Sequence, residues 1–275
     1  MNIKAFIITS LSALVLLSCA DKPYVIVQIA DAQLGFTAAE KSQREGTPYI
    51  NDLSYESDCL RKAVVKINEI KPDAVVFTGD QVNDAGNQQQ WDTFAAIIAG
   101  LDEEIRVFHL PGNHDVTISG SDVDSSPFTS RYGDDCFLHI DRGVRIVGIN
   151  TNLIQADSPS EGRQMAWLKN VLRKESADEV TIVFGHHPFF LESIDEPDSY
   201  FPVRKDKRKL YFDVFAGLDV DAVYAGHRHC DFEGEYAGIP MKTTTSVAFQ
   251  IGGSVPSVRV ITVYKDGVRD SLLSL

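Results

Sequence analysis

Positive charge is scarce in this chain: 26 lysines and arginines stand against 39 aspartates and glutamates, a formal net charge of −13 over 275 residues. A protein that drew its affinity from neutralising phosphate backbones would be built the other way, so the balance argues against nucleic acid and anionic membrane surfaces as partners. Cysteine is scarce too. Beyond Cys19 there are only Cys59, Cys136 and Cys230, an odd number without the close spacing of a zinc knuckle or a dense disulfide framework, and at most one disulfide is possible. No Pro/Ser/Gly linker divides the chain, so residues 19–275 read as a single domain. What is present is a balance of 44% hydrophobic to 24% charged residues, enough to fill one large core and incompatible with disorder.

Residues 1–18 form a separate object. Lys4 gives a weak positive start, and the apolar run 5–17 has 13 residues, short of the roughly 20 needed to span a bilayer. Leu16-Leu17-Ser18-Cys19 resembles the bacterial lipobox, which implies cleavage before Cys19 and lipidation of that cysteine. The expectation is an exported lipoprotein of the cell envelope, meeting the membrane only through its lipid anchor. An ordinary secretory signal with Cys19 incidental is the alternative. Losing residues 1–18 removes only Lys4 and leaves a net charge of −14.

Five apolar, β-branched runs, at 24–30, 74–78, 105–110, 180–184 and 221–225, read as buried strands. Helical periodicity comes next at 58–70, where Leu60, Val64, Ile67 and Val65 share the apolar face and Pro72 ends the helix. Further helices are predicted at 88–99, 162–175 and 207–218, with Trp91 and Trp167 as packing residues, while 137–149 and 235–273 look like hairpin strands. The fold is therefore mixed α/β with two sheets and crossover helices outside them. The basic run Arg204 to Lys209 reads as a solvated helix start, or else an anion-binding patch.

The chemistry lies in the short segments at the C-terminal ends of these strands. The five runs lead into Asp31-Ala32-Gln33, Gly79-Asp80, Pro111-Gly112-Asn113-His114-Asp115, Gly185-His186-His187 and Gly226-His227-Arg228-His229. Five of the seven histidines fall in these segments, and only His109 and His139 lie elsewhere. In sheets of this kind the carboxyl ends of strands share one rim, so residues nearly 200 positions apart converge in one cleft. Carboxylates, amide oxygens and imidazoles without thiolate suit catalytic divalent ions such as Mn, Fe, Zn, Ni, Co or Mg rather than a structural zinc. The candidates exceed what one tetrahedral ion takes, so two ions bridged by Asp80 are expected. Such a pair activates water and neutralises charge building on phosphorus, which points to phosphate ester hydrolysis. His114 has the type for a general acid, with Asp115 next to it to hold its tautomer.

In this order the motifs resemble the calcineurin-like metallophosphoesterase superfamily, whose pattern is Asp-x-His, Gly-Asp-x-x-Asn/Asp, Gly-Asn-His-Asp, Gly-His and Gly-His-x-His. The resemblance covers residues 24–265 and implies a two-sheet sandwich flanked by helices, with the active site at the C-terminal ends of the strands. Carried over residue by residue, it makes Asp31 and His229 ligands of one metal, Asp80 the bridge, Asn113, His186 and His227 ligands of the other, and His114 the general acid. His187 is expected to face away, and Arg228 is a phosphate contact only by neighbourhood. Gln33 departs from the pattern, standing where most members have histidine. An Asp-x-Gln first motif is similar to the complete S-transactivated protein subgroup, as are residues 189–196 and 133–135; its members are regarded as phosphoprotein Ser/Thr phosphatases. An amide ligand at Gln33 implies a weaker first site or one favouring a harder ion. Purple acid phosphatases carry tyrosine at the position of Asn83, so a coloured iron centre is not expected.

Substrate is less legible. The implied partner is a phosphorylated small molecule or a phosphoprotein, a diester remains open on the same metals, and a metal-binding protein without turnover is the alternative of a different class. Residues 34–57 and 116–136 read as long loops bordering the cleft, with Phe189, Phe190 and Tyr200 either at its mouth or packed below it.

Overall fold

The computed structural model describes residues 22–275; the signal segment and Cys19 lie outside the described residues. The strands are β1 (Tyr24–Ile29), β2 (Ala74–Thr78), β3 (Arg106–Leu110), β4 (Thr117–Ser119), β5 (Asp122–Asp124), β6 (Phe137–Asp141), β7 (Val144–Gly148), β8 (Val180–Phe184), β9 (Ala222–Ala225), β10 (Phe232–Tyr236), β11 (Ile239–Thr243), β12 (Ser257–Tyr264) and β13 (Gly267–Ser274). The helices are α1 (Phe36–Glu45), α2 (Ser54–Ile70), α3 (Gln88–Ile98), α4 (Ser126–Tyr132), α5 (Thr151–Gln155), α6 (Glu161–Val171) and α7 (Lys205–Gly217). One sheet has the order β13-β12-β1-β2-β3 and the other β10-β11-β9-β8-β7-β6, with β4 and β5 as a separate hairpin. Within them β1, β2 and β3 run parallel, and so do β7, β8 and β9.

Strand alternation builds the layers. Tyr24, Ile26, Ala74 and Val76 point between the sheets to meet Ile182, Phe184, Ala222 and Tyr224. The alternate residues Val27, Ile29, Val75 and Phe77 pack under Leu60, Val64 and Ile67 of α2 and Phe94 of α3. Val183 and Val223 pack instead under Leu168 of α6 and Phe212 and Phe215 of α7. Both faces of each central strand are thus covered, which is why these strands read as continuous apolar runs rather than alternating ones.

Four details refine the sequence reading or decide between its alternatives. Val65 is 58% exposed, because the stripe of α2 that reaches the sheet is Leu60, Ala63, Val64 and Ile67. The two long loops are partly regular: the first contains α1, the second the β4–β5 hairpin and α4. Phe189 and Phe190 are buried against Phe212 and belong to the core. In the basic run Arg208 is fully buried, donating to the carbonyls of Val203 at 2.6 Å and Glu196 at 2.7 Å, and Lys207 pairs with Asp157 and Glu161 at 2.7 Å each. Arg208 thus holds the segment before α7, and Lys207 ties α7 to the start of α6.

Candidate metal centre

The loops after β1 and β2 run side by side, Asp31 N–H bonding the Gly79 carbonyl at 3.3 Å and Gln33 N–H the Asp80 carbonyl at 2.7 Å. Asn113 and His114 come from the end of β3, His186 from β8, and His227 and His229 from β9, all on one rim. Of the ten non-glycine residues with positive φ among the described residues, five are Asp31, Gln33, Asp80, His227 and His229. Each costs about 1–3 kcal/mol of backbone strain, which persists only where the surroundings enforce it and is characteristic of functional sites. Gly226 is required for the same convergence, since a Cβ there would stand 2.7 Å from Asp31 Oδ2.

The hydrogen bonds decide what each ring nitrogen can offer. His186 Nδ1 lies 2.9 Å from the Thr78 carbonyl, an acceptor only, so Nδ1 donates. Its Nε2 then faces Asn113 Oδ1 at 3.0 Å, His227 Nδ1 at 3.1 Å and Asp80 Oδ2 at 3.3 Å. His229 Nδ1 likewise donates to the Phe249 carbonyl at 2.6 Å and turns Nε2 to Asp31 Oδ1 at 3.5 Å. Gln33 Oε1 and His227 Nε2 are buried with no hydrogen-bond partner among the described residues. Imidazoles pinned at Nδ1 by backbone carbonyls turn Nε2 to carboxylate and amide oxygens, and a divalent cation in place of the Nε2 proton fits at their centre.

The same crowding shifts the titration of these groups. Burial works against the His186 imidazolium, but Asp80 and Asp31 outweigh it and raise His186 to about 9. Burial raises Asp31 above the ordinary carboxylate range despite His229 and His186 beside it. It acts on Asp80 in the same direction, yet His186 and His114 hold that carboxylate well below the range. Burial and the adjacent His186 push His227 down to about 3, keeping its ring a neutral ligand type. Both carboxylate oxygens of Asp80 are engaged: Oδ1 accepts the His114 amide at 2.9 Å while Oδ2 faces His186 at 3.3 Å.

Two expectations are corrected here. Asp115 does not orient His114; its buried carboxylate accepts the amides of Gly112 at 2.8 Å, Gln81 at 2.9 Å and Val82 at 3.2 Å, and the His114 ring is held instead through Nδ1 by the Asn83 carbonyl at 2.8 Å. His187 is not turned away: its ring centroid is 4.4 Å from that of His227, and the two share with His186 a group of ring nitrogens within 4.8 Å of one another. Arg228 carries its guanidinium over the Phe201 ring at 4.7 Å. Tyr200, 66% exposed, lies with its ring 5.2 Å from His227 and is the member of the mouth trio that reaches the rim.

Sequence reasoning missed the carbonyls of Thr78, Asn83 and Phe249, which have no side-chain signature. It also missed Thr151, whose Oγ1 accepts the amides of His186 and His187. The available signal was that β7 runs parallel to β8, so its C-terminal end reaches the same rim; reading 137–149 only as a hairpin concealed this.

A sandwich with this rim of carboxylate, amide and imidazole ligands defines a metal-dependent phosphoesterase. Residues 25–231 match the calcineurin-like phosphoesterase family, and the chain belongs to that family. It is 27% identical over 264 residues to the serine/threonine-protein phosphatase CPPED1 of Mus musculus, covering 92% of this chain and 84% of that protein. It is 28% identical over 226 residues to a probable cyclic nucleotide phosphodiesterase of Rhodococcus erythropolis, covering 74% and 71% respectively. A dimetal phosphatase from Danio rerio shares the fold at a TM-score of 0.60 and 17% identity, over 92% of this chain and all of that one. The protein is accordingly a hydrolase that uses divalent metal ions.

Proposed function

We propose that this metallophosphoesterase is a dinuclear phosphomonoesterase acting on small phosphoesters or on phosphoserine and phosphothreonine. In this reading Asp31, Gln33 and His229 hold one ion, Asn113, His186 and His227 the other, and Asp80 bridges. The observation that carries it is the set of polar atoms around His186 Nε2, namely Asn113 Oδ1, Asp80 Oδ2 and His227 Nδ1, which a single proton cannot satisfy together. Divalent ions there supply the charge that activates water and stabilises the phosphoryl oxygens. The Thr78 and Phe249 carbonyls aim the imidazoles, and the His114 amide fixes Asp80. His114 donates Nδ1–H to the Asn83 carbonyl, so it would act as the acid in its imidazolium form, passing the Nε2 proton to the leaving alkoxide and becoming the neutral ring.

Hydrolysis of p-nitrophenyl phosphate by chelated protein should return when Mn, Mg, Zn or Fe is added back singly, and Asp80→Asn should abolish it. His114→Ala should slow alkyl phosphates at least about a hundredfold and p-nitrophenyl phosphate far less, because only poor leaving groups need the proton. Equal losses on both would remove His114 as the acid, and absence of turnover with every metal would sink the enzyme reading. The phosphodiesterase-named relative from Rhodococcus erythropolis supports a second reading, hydrolysis of diesters. Faster turnover of bis(p-nitrophenyl) phosphate than of the monoester would favour it. We further propose export and anchoring through lipidated Cys19, on the lipobox-like residues 16–19; Cys19→Ser should move the protein from the membrane to the soluble fraction, and continued membrane retention would count against it.

A further inference from the structure

We infer that His187 is a neutral hydrogen-bond donor for an oxygen of the bound phosphoryl group, its tautomer set by Thr151, and not a third imidazole ligand of a metal. The inference rests on the phosphatase reading above for its ligand, but the tautomer itself comes from the hydrogen bonds alone. His187 is 3% exposed, and its ring packs at 4.4 Å from His227 and, edge-on, at 4.9 Å from His186. Three histidines so close invite a metal site, with ring nitrogens all within 4.8 Å of one another. Thr151 decides between the two roles.

Thr151 Oγ1 accepts the backbone amides of His186 at 3.2 Å and His187 at 2.9 Å, and it stands 3.0 Å from His187 Nδ1. A hydroxyl has two lone pairs and one proton. The amides take both lone pairs, so the proton is directed at Nδ1, which must accept it. A neutral imidazole that accepts at Nδ1 carries its own proton on Nε2, and a metal ligand needs a nitrogen lone pair. Neither nitrogen of His187 then has one to give. Thr151 is fully buried, and its Oγ1 is held in place by the two amides that it accepts.

The chemistry of the rim gives such a donor its use. Asp31, Asp80, Asn113 Oδ1 and Gln33 Oε1 present acceptors suited to cations, and a phosphoryl group brings further oxygens that need N–H partners. A lysine or arginine at this place would repel the cations that the carboxylates gather. A neutral imidazole adds the donor without the charge. Thr151 is on this account a positioning residue, acting through the ring of His187.

Two-bond ¹⁵N–¹H correlation on histidine-labelled, zinc-loaded protein should show His187 protonated at Nε2 and bare at Nδ1. The opposite tautomer, or a shift of His187 nitrogens to metal-coordinated values on loading, overturns the inference. Calorimetric titration of inorganic phosphate into the zinc-loaded protein tests the role without depending on turnover. His187→Leu should weaken phosphate binding about tenfold or more with zinc content after dialysis unchanged, and His187→Gln, which keeps an N–H near the same place, should retain most of the affinity. Loss of zinc in His187→Leu would make it a ligand, and unchanged phosphate affinity would make it packing; either result overturns the assignment. Thr151→Ser, which keeps the hydroxyl, should preserve both the tautomer and the affinity. If the wild-type protein hydrolyses no ester, the phosphatase reading fails while these measurements on His187 still decide its role.

Discussion

At the scale of single residues, Gln33 is the most informative departure. Its Oε1 is buried with no hydrogen-bond partner among the described residues, and an unmet buried acceptor costs about 1–3 kcal/mol unless a cation or water completes it. The side chain is held toward the rim by a backbone at φ 42°, a region that histidine tolerates better than most residues. Imidazole is the better donor to zinc or iron, so Gln33→His should fit the same backbone and slow the loss of metal. The expected outcome is more metal retained through dialysis than in the wild-type protein. Equal retention in the two proteins would take Gln33 out of the coordination shell. His187 and Asp115 teach the converse lesson, because their residue types suggested one role and their hydrogen bonds assign another. Nothing in the order of amino acids told that Asp115 would serve three amides, or that Thr151 would sit under His187.

Elements explain which part was legible. Central strands buried on both faces leave continuous apolar runs, and metal-ligand residue types directly after them are visible without any knowledge of pairing. The five strands and four of the helices therefore stand within a few residues of where periodicity puts them. Order within the sheets is not visible, because it depends on long-range pairing such as β12 lying against β1 across more than 200 residues. Contacts between the loops were hidden for the same reason, and Asp115 is the clearest of them. Its carboxylate joins the turn after β3 to the amides of Gln81 and Val82 after β2, so two loops that carry Asp80, Asn113 and His114 move as one. Asp115→Asn exchanges one acceptor oxygen for an NH₂ that faces amide donors, at a cost of about 1–3 kcal/mol. The variant should melt several degrees lower and bind metal less tightly, since Asp80 and Asn113 lose their common tether. A lower melting temperature with metal affinity unchanged would confine Asp115 to folding.

For the whole molecule the question is what locks one sheet to the other beyond apolar packing. Asp270 on β13 is 5% exposed at its side chain and receives Arg259 of β12 in its own sheet, then Lys242 of β11 at 2.8 Å and the Tyr224 hydroxyl of β9 at 3.1 Å from the other. Burial would raise its pKa, but Lys242 and Arg259 outweigh burial and hold Asp270 below the ordinary carboxylate value of 3.8. A carboxylate whose folded pKa is depressed contributes stability that is complete above its unfolded value and lost as pH falls through the folded one. The Asp270 contribution is therefore full above pH 3.8 and declines only below it. Asp270→Asn takes the shared carboxylate from Arg259 and Lys242, which keep only the more exposed Asp231 and Glu233, at a cost of about 1–3 kcal/mol. Urea unfolding at pH 7 should show that loss, and the gap between the two proteins should narrow as pH falls below 3.8, because acid removes from the wild type the charge that the variant already lacks. A gap that stays constant from pH 7 to pH 2 would mean that the shape of the side chain, not its charge, joins the sheets.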